Sequence, residues 1–466
     1  MRPNKFIGDK PFYRRAVAVA LPIVIQNGIT NFVSLLDNLM VGQLGTEEMS
    51  GVAVANQLMF IFNLFVFGAI SGAGIFTAQF YGSGDNKGIR ATFRFKLMTC
   101  VVIAAIGIGT FSLFGTNLIS YYLSDDSSGD IALALASGWD YLKVMLFGLL
   151  PFALTQAYAG TLRECGNTRL PMIASIAAVM TNLTFNYILI FGHFGAPALG
   201  VRGAAIATVI SRFIELAIII VFSHANVKKH PFIKDLYKSL SVPGNIVKDI
   251  VKKGTPLMIN ELMWSVGISM VVQCYSTRGL AAMTAINISN TVANLFNVVF
   301  ISFGSVIAII VGQDLGANEP DKAKLDSSRL ITFSTLVSVG VGFIMMAISP
   351  FVPMLYNTSS SIRSLATSLI IVAGATMPLG SIANGTYFTI RSGGKTFITF
   401  LFDSVFVMVV SVPVAFCISR YTDIPIIPMY ICCQSLDIIK CIIGITLVNK
   451  GIWVNNIVDD KKQEVK

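Results

Sequence analysis

Twelve long apolar runs leave this chain few folds to choose from. They fall at 15–41, 51–80, 97–120, 139–161, 171–192, 203–224, 254–276, 282–312, 331–353, 365–390, 396–419 and 426–449. About 20 such residues in an α-helix cross the hydrocarbon of a bilayer. In lipid every backbone N–H and C=O needs a partner within its own helix or in a closed barrel. These runs are continuous and do not alternate with period two, so helices are expected and a barrel is not. With 54% hydrophobic and 12% charged residues among 466, an ordinary soluble enzyme is excluded. The expected fold is an all-α polytopic membrane protein.

The formal charge of +10 would suggest a polyanionic partner in a soluble chain, but its placement says otherwise. With the N-terminus in the cytoplasm, 27 of the 34 lysines and arginines fall in the N-terminal arm, the even-numbered loops and the C-terminal tail. The odd-numbered loops hold only Arg202, Arg278, Arg363 and Arg420. Lys143, Arg212 and Lys440 lie inside spans. This bias predicts an inner (plasma) membrane protein with both termini cytoplasmic. It reports orientation, and no nucleic acid is implied.

The chain repeats itself. At a shift of 234 residues Pro22 falls on Pro256, Gly45 on Gly279, Asn56 on Asn290, Gln79 on Gln313 and Gly82 on Gly316. Later in each half, TLRECGNT (161–168) matches TIRSGGKT (389–396) at a shift of 228. Two six-span lobes follow, 1–225 and 254–455, with a basic cytoplasmic linker at 226–253 and a cytoplasmic tail at 456–466. An even number of spans per lobe starts both on the same side of the membrane, so a pseudo-twofold axis along the membrane normal relates them. Transporters of this plan place their sites near the midplane and rock one half against the other.

The most informative span is the first, LPIVIQNGITNFVSLLDNLM (21–40). At 100° per residue Gln26, Asn27, Thr30, Asn31, Ser34, Asp37 and Asn38 share an arc of roughly 140°. A carboxylate near a bilayer centre costs about 2.5–3.5 kcal/mol on insertion scales, so Asp37 should face the bundle or a wet cavity. In span 8, Asn287, Asn290, Asn294 and Asn297 form one amide stripe, which either lines the translocation cavity or bonds neighbouring helices. Further embedded acids are Glu215, Glu261, Asp403 and Asp437. Arg212 with Glu215, Asp437 with Lys440, and Asp140 with Lys143 are spaced i,i+3 and read as structural ion pairs. Asp37, Glu261 and Asp403 have no such neighbour. A carboxyl in that position either exchanges a proton or serves as a hard oxygen ligand for sodium, and both suit ion coupling.

Chemistry that consumes a nucleotide or needs a resident metal finds no support. SGGKT (392–396) imitates the end of a phosphate-binding loop, but Thr389 stands where that pattern needs glycine. His193, His224 and His230 and the seven cysteines have no metal-ligand spacing, and most cysteines sit in apolar runs as small hydrophobes. No removable leader is expected, because the first apolar run belongs to a repeated unit.

Several stretches resemble the multidrug and toxic compound extrusion (MATE) transporters: LPIVIQNG with LLDNLMVGQLG, QFYGSGD after span 2, TLRECGNTRLPM before span 5, NLTFNYILIFG within it and GVRGAAIATVISR entering span 6. The resemblance covers nearly the whole chain. It implies an antiporter that exports organic, often cationic, compounds in exchange for protons or sodium. It also implies roles for Asp37 as the first-span carboxylate, Asn182 as its neighbour and Glu261 as the acid of span 7. Two positions depart from the pattern. Asn186 stands where some members carry aspartate, and IVAGATMPLGSIANG of span 10 has no acid, which leaves the second-lobe ion site to Glu261 unless Asp403 substitutes.

The sequence thus predicts a non-enzymatic secondary antiporter acting as a monomer, without cofactor, its coupling ion H⁺ or Na⁺. Its partners are membrane lipid and small organic cations or drugs. Asp37, Asn182, Asn186, Glu261 and Asp403 are the expected coupling residues, with Na⁺ at Asp37 or Glu261 as one alternative. Gln26, Thr30, Ser34, Asn287, Asn290 and Asn294 are the expected cavity lining. A lipid-linked oligosaccharide flippase of the same superfamily, favoured by a basic cavity, and a non-transporting membrane receptor or assembly factor are the competing readings.

Overall fold

The computed structural model describes residues 5–123, 130–356 and 358–459. Twelve helices in it are long and apolar enough to cross a membrane. The first lobe comprises α1 (Lys10–Gly42), α2 (Thr46–Gly82), α3 (Asn86–Leu123), α4 (Ile131–Glu164), α5 (Arg169–Phe191) and α6 (Gly200–Ala225). The second comprises α7 (Gly244–Ser276), α8 (Leu280–Gly316), α9 (Pro320–Ile348), α10 (Ser360–Ser392), α11 (Thr396–Tyr421) and α12 (Ile426–Lys450). No strand occurs among the described residues.

Several helices begin well before the apolar run that announced them. Hydropathy marks the part of a helix that meets hydrocarbon, whereas capping marks where it starts. The Asp9 carboxylate accepts from Phe12 N (3.0 Å) with Pro11 in the first turn, so α1 starts five residues ahead of the run. The polar turn after α2 launches α3 eleven residues early. Part of the basic linker, 244–253, is likewise already helical.

Each lobe has its own apolar core, and the first helix of each lobe begins in the other lobe's territory. Phe12, Ala16, Val19 and Ile23 of α1 pack with Phe303, Val306 and Ile310 of α8, whereas Val41 belongs to the first-lobe core. In mirror fashion Ile246 and Ile250 of α7 join the first-lobe core, and Val271 and Tyr275 join the second. Pro22 and Pro256, equivalent in the repeat, sit inside these two crossing helices. A helix-interior proline leaves the carbonyl four residues earlier unbonded. For Pro22 that carbonyl is Ala18, which accepts from Thr168 Oγ1 at 3.4 Å. The linker goes with the first lobe: Phe232, Ile233 and Leu236 are buried in its core, and Arg90 and Arg94 of α3 donate to the carbonyls of Phe232, Asp235 and Leu236.

The lobes are latched at the end of the bundle that carries both termini. Gln79 at the end of α2 donates to the Ser392 carbonyl (2.9 Å), and its repeat equivalent Gln313 at the end of α8 donates to the Glu164 carbonyl (2.9 Å). The C-terminal segment crosses the same seam: Ile457 N donates to Gln79 Oε1 (2.8 Å), and Asn455 O accepts from Gln79 Nε2 (3.2 Å). Arg15 of α1 reaches Asp314 of α8 at 3.1 Å. Glycine makes this approach feasible, because a Cβ on Gly82 would lie 1.9 Å from the Gln313 carbonyl oxygen. One on Gly316 would lie 1.9 Å from that of Gln79. Toward the other end the hydrogen bonds stop at mid-height with Asn27 to Ser302 (3.0 Å); beyond it none joins the lobes among the described residues.

Gly316→Val should therefore open the latched end, since the clash is with backbone that cannot turn aside. In a cysteine-free background carrying Ser392→Cys, which is 2% exposed in the wild-type fold, labelling by a membrane-impermeant maleimide should rise several-fold with Gly316→Val. Unchanged labelling would contradict this packing.

Candidate functional site

In the first lobe α1 and α5 bring three of the expected residues together. Asn186 Nδ2 donates to Asp37 Oδ1 at 2.7 Å. The Asn182 amide, oriented by accepting from Thr208 Oγ1 at 3.2 Å, donates to both Asp37 oxygens at 2.9 and 3.1 Å. Asn182 and Asn186 are one helical turn apart, so a single face of α5 presents both amides. They are buried, and Asp37 is half-buried. No lysine, arginine or histidine forms an ion pair with Asp37 among the described residues.

The balance of these terms decides what the site can do. A hydrogen bond to a charged group contributes about 1.5–3 kcal/mol, against an insertion cost of about 2.5–3.5 kcal/mol. The amides therefore hold the anion without neutralising it, and a proton or cation arriving there displaces no resident charge. Asn186 Oδ1 is buried with no partner, a second oxygen beside the carboxylate.

The sequence arc on α1 divides in three dimensions. Gln26 is buried and accepts from Arg163 Nη2 at 3.3 Å, away from Asp37. Thr30 and Ser34 are exposed and return their hydroxyls to the carbonyls of Gln26 and Thr30 (2.9 and 3.0 Å), so their polarity is satisfied within the helix. Thr208, which the sequence reading passed over, orients Asn182. Its only signal was a hydroxyl at the correct helical phase in GVRGAAIATVISR.

In the second lobe two expectations are corrected. Asp403 does have a basic partner: Lys440 Nζ lies 2.5 Å from its Oδ1, and Asn260 Nδ2 donates to its Oδ2 at 3.1 Å. Lys440 is consequently not the partner of Asp437. The i,i+3 spacing permitted that pair, but the partner from α11 is better placed, in a segment where the helix widens to i→i+5 bonding over Leu401–Val405. Arg212 likewise makes no ion pair with Glu215 among the described residues; it donates to the Gly148 carbonyl (3.1 Å) and stacks over Phe152. Asp140 pairs as expected with Lys143 (3.8 Å) and more closely with Arg202 (2.9 Å). Glu261 follows Asn260 on α7 and is half-buried, with Arg391 and Asp403 as its charged neighbours.

The amides of α8 face more than one environment. Asn290, Asn294 and Asn297 line a chamber of about 460 Å³ within the second lobe, and Asn287 is exposed beyond it. The lobes are thus unlike at their centres. At the repeat shifts Asp37 aligns with Val271, and Asp403 aligns with Ser175.

Comparison with known proteins agrees with this architecture. Residues 22–188 and 256–417, one block per lobe, match the MatE family. A probable multidrug resistance protein NorM of Thermotoga maritima is 24% identical over 444 residues, 94% of this chain and 93% of that protein. A probable multidrug resistance protein YoeA of Bacillus subtilis is 25% identical over 431 residues, 91% of this chain and 90% of that one. Among solved structures, a multidrug resistance MATE family transporter of the MOP superfamily in an outward-facing conformation superposes with a TM-score of 0.83 at 18% identity, covering 95% of this chain and 97% of the other. Two six-helix lobes latched at one end are the architecture that these relatives share. The chain belongs to the MatE family.

The corrected pairing makes a sharp thermodynamic expectation. Lys440→Met leaves Asp403 without a counter-charge, held only by the Asn260 amide, and should destabilise the protein by about 3–5 kcal/mol, the usual result of removing one member of a buried pair. Adding Asp403→Asn should recover most of that loss of thermal stability in detergent. Additive losses in the double variant would contradict the pairing.

Proposed function

We propose that this protein is a secondary active antiporter that exports organic, mainly cationic, compounds in exchange for protons or sodium ions by alternating access. The observation that carries the reading is the Asp37 carboxylate, held by Asn182 and Asn186 and paired with no fixed cation. A ligand shifts a two-state equilibrium only by its differential affinity for the two states. An ion at Asp37 completes the coordination of the carboxylate and favours the lobe arrangement that releases substrate. Substrate then favours the arrangement that gives the ion back. Glu261 serves as the second coupling carboxylate, whereas Asp403, neutralised by Lys440, does not exchange ions.

Hydrogen bonds between the lobes that run from the side of the termini to mid-height and, among the described residues, no further suit a state open to the opposite face. The positive charge bias puts the termini in the cytoplasm of the cell, so that face is the exterior. Bonds between the lobes run within one chain, and a monomer suffices for the cycle. A flippase for lipid-linked sugars calls for a basic chamber, whereas the first-lobe site is carboxylate and amide.

Proteoliposomes loaded with ethidium test the proposal. Wild-type protein should extrude the dye under an imposed pH gradient or an imposed sodium gradient, and whichever gradient suffices identifies the ion. Asp37→Asn should lower the rate at least about tenfold, the loss expected when a charge interaction worth about 1.4 kcal/mol is removed, with normal insertion. Wild-type rates in that variant, or dye movement indifferent to both gradients, would refute the mechanism.

A further inference from the structure

The second-lobe chamber brings a carboxylate, amides and aromatic rings onto one wall. Its wall carries two charged residues, Asp437 and Lys440, three positions apart on α12. They form no direct ion pair with each other among the described residues. Lys440 turns to Asp403 (2.5 Å), which does not line the chamber, and its ammonium stands 5.7 Å from the centre of the Phe402 ring. Asp437, at a position where α12 breaks its regular bonding between Ser435 and Asp437, accepts no hydrogen bond and makes no ion pair among the described residues. Asp403, Lys440 and Asp437 together carry one net negative charge, and Asp437 is the one of the two carboxylates that lines the chamber.

Everything else on the wall is neutral. Asn290, Asn294 and Gln434 offer amides, Trp264 offers ring surface, and Tyr275 and Tyr430 border the chamber with most of their rings packed away (4% and 6% exposed). The rings of Tyr275 and Tyr430 are 5.7 Å apart at 60°, and Gln434 Nε2 donates to the Tyr430 hydroxyl (3.3 Å), which fixes that ring against the chamber. Trp264, on the wall, is 39% exposed. A volume of about 460 Å³ falls within the range of small-molecule sites, roughly 300–1,000 Å³, and is far too large to close around a bare metal ion. Aromatic faces beside a carboxylate attract a delocalised or quaternary cation by both the ring quadrupole and the counter-charge.

We infer that the second lobe holds a separate binding site for a planar organic cation, with Asp437 as its counter-ion, Trp264 as its aromatic wall and Tyr275 and Tyr430 at its border. The site rests on the export reading above and extends it, since it assigns the cargo to a chamber distinct from the Asp37 centre. The Asp403–Lys440 pair is the device that keeps Asp437 available: with Asp403 silenced, Lys440 turns back to Asp437 and fills the place of the ligand cation.

Ethidium binding to the purified full chain in detergent tests this, in an Asp37→Asn background so that the first-lobe carboxylate does not contribute. Asp437→Asn should weaken binding at least tenfold. Asp403→Asn should weaken it comparably, although Asp403 is not on the chamber wall. Trp264→Leu should weaken it with all charges in place, so the test survives misfolding of any one variant, monitored by thermal melting. Equal affinity in the parent and in folded Asp437→Asn or Asp403→Asn overturns the site and leaves the export reading standing, provided the wild-type protein still moves ethidium along a gradient. A wild-type protein that neither binds nor moves ethidium overturns both.

Discussion

The architecture depends on two backbones touching. At the closed end the last turns of α2 and α8 pass so near each other that Gly82 and Gly316 leave no room for a side chain. Gln79 and Gln313 then tie each lobe to a main-chain carbonyl of the other. Contacts of this kind are either made or absent, since a glycine seam has no flexible side chains with which to follow a partial separation. A hinge needs such a bistable closure together with segments that bend, and the proline-bearing helices α1 and α7 supply those, each starting in one lobe and finishing in the other. In the proposed alternating-access cycle, lobe rotation and the bending of α1 are one event, and α1 carries Asp37.

This linkage gives the carboxylate leverage. Asp37 lies on the far half of α1, where the helix belongs to the first lobe, and its amide contacts come from α5 of that lobe. In the proposed cycle a change in what occupies the carboxylate alters how α1 lies on α5, and the near half of α1, packed against α8 through Phe12, Ala16 and Ile23, carries that change to the second lobe. The second lobe has no counterpart of Asp37. Its central carboxylate, Asp403, is locked to Lys440, and its chamber presents a different charge, that of Asp437.

Much of this was legible in the residues. Apolar runs gave all twelve helices, because hydrocarbon imposes a length and a composition that few soluble segments share. The self-comparison had already singled out Gln79 with Gln313 and Gly82 with Gly316, the residues of the latch, although nothing in the sequence says that they meet. Asp37, Asn182 and Asn186 were paired through a resemblance, and the geometry brings them within hydrogen-bond range. Charge pairing was less legible. Spacing along one helix suggested Asp437 for Lys440 and Glu215 for Arg212, but i,i+3 neighbours compete with partners from other helices, and a sequence carries no distances between helices. The same limit hid Thr208, whose part depends on α6 lying against α5, and split the polar arc of α1, where Gln26 meets Arg163 while Thr30 and Ser34 satisfy themselves.

The central claim is that the occupant of Asp37 sets the separation of the lobes at the latched end. Spin labels at Lys87→Cys and Asp321→Cys, exposed and equivalent positions at the starts of α3 and α9, report that separation directly by pulsed dipolar spectroscopy in lipid nanodiscs. Replacing the coupling ion by substrate should move the wild-type distance distribution between two populations, and the same exchange should leave Asp37→Asn in one. Identical shifts in both proteins would contradict the account, because the carboxylate would then have no hold on the lobes.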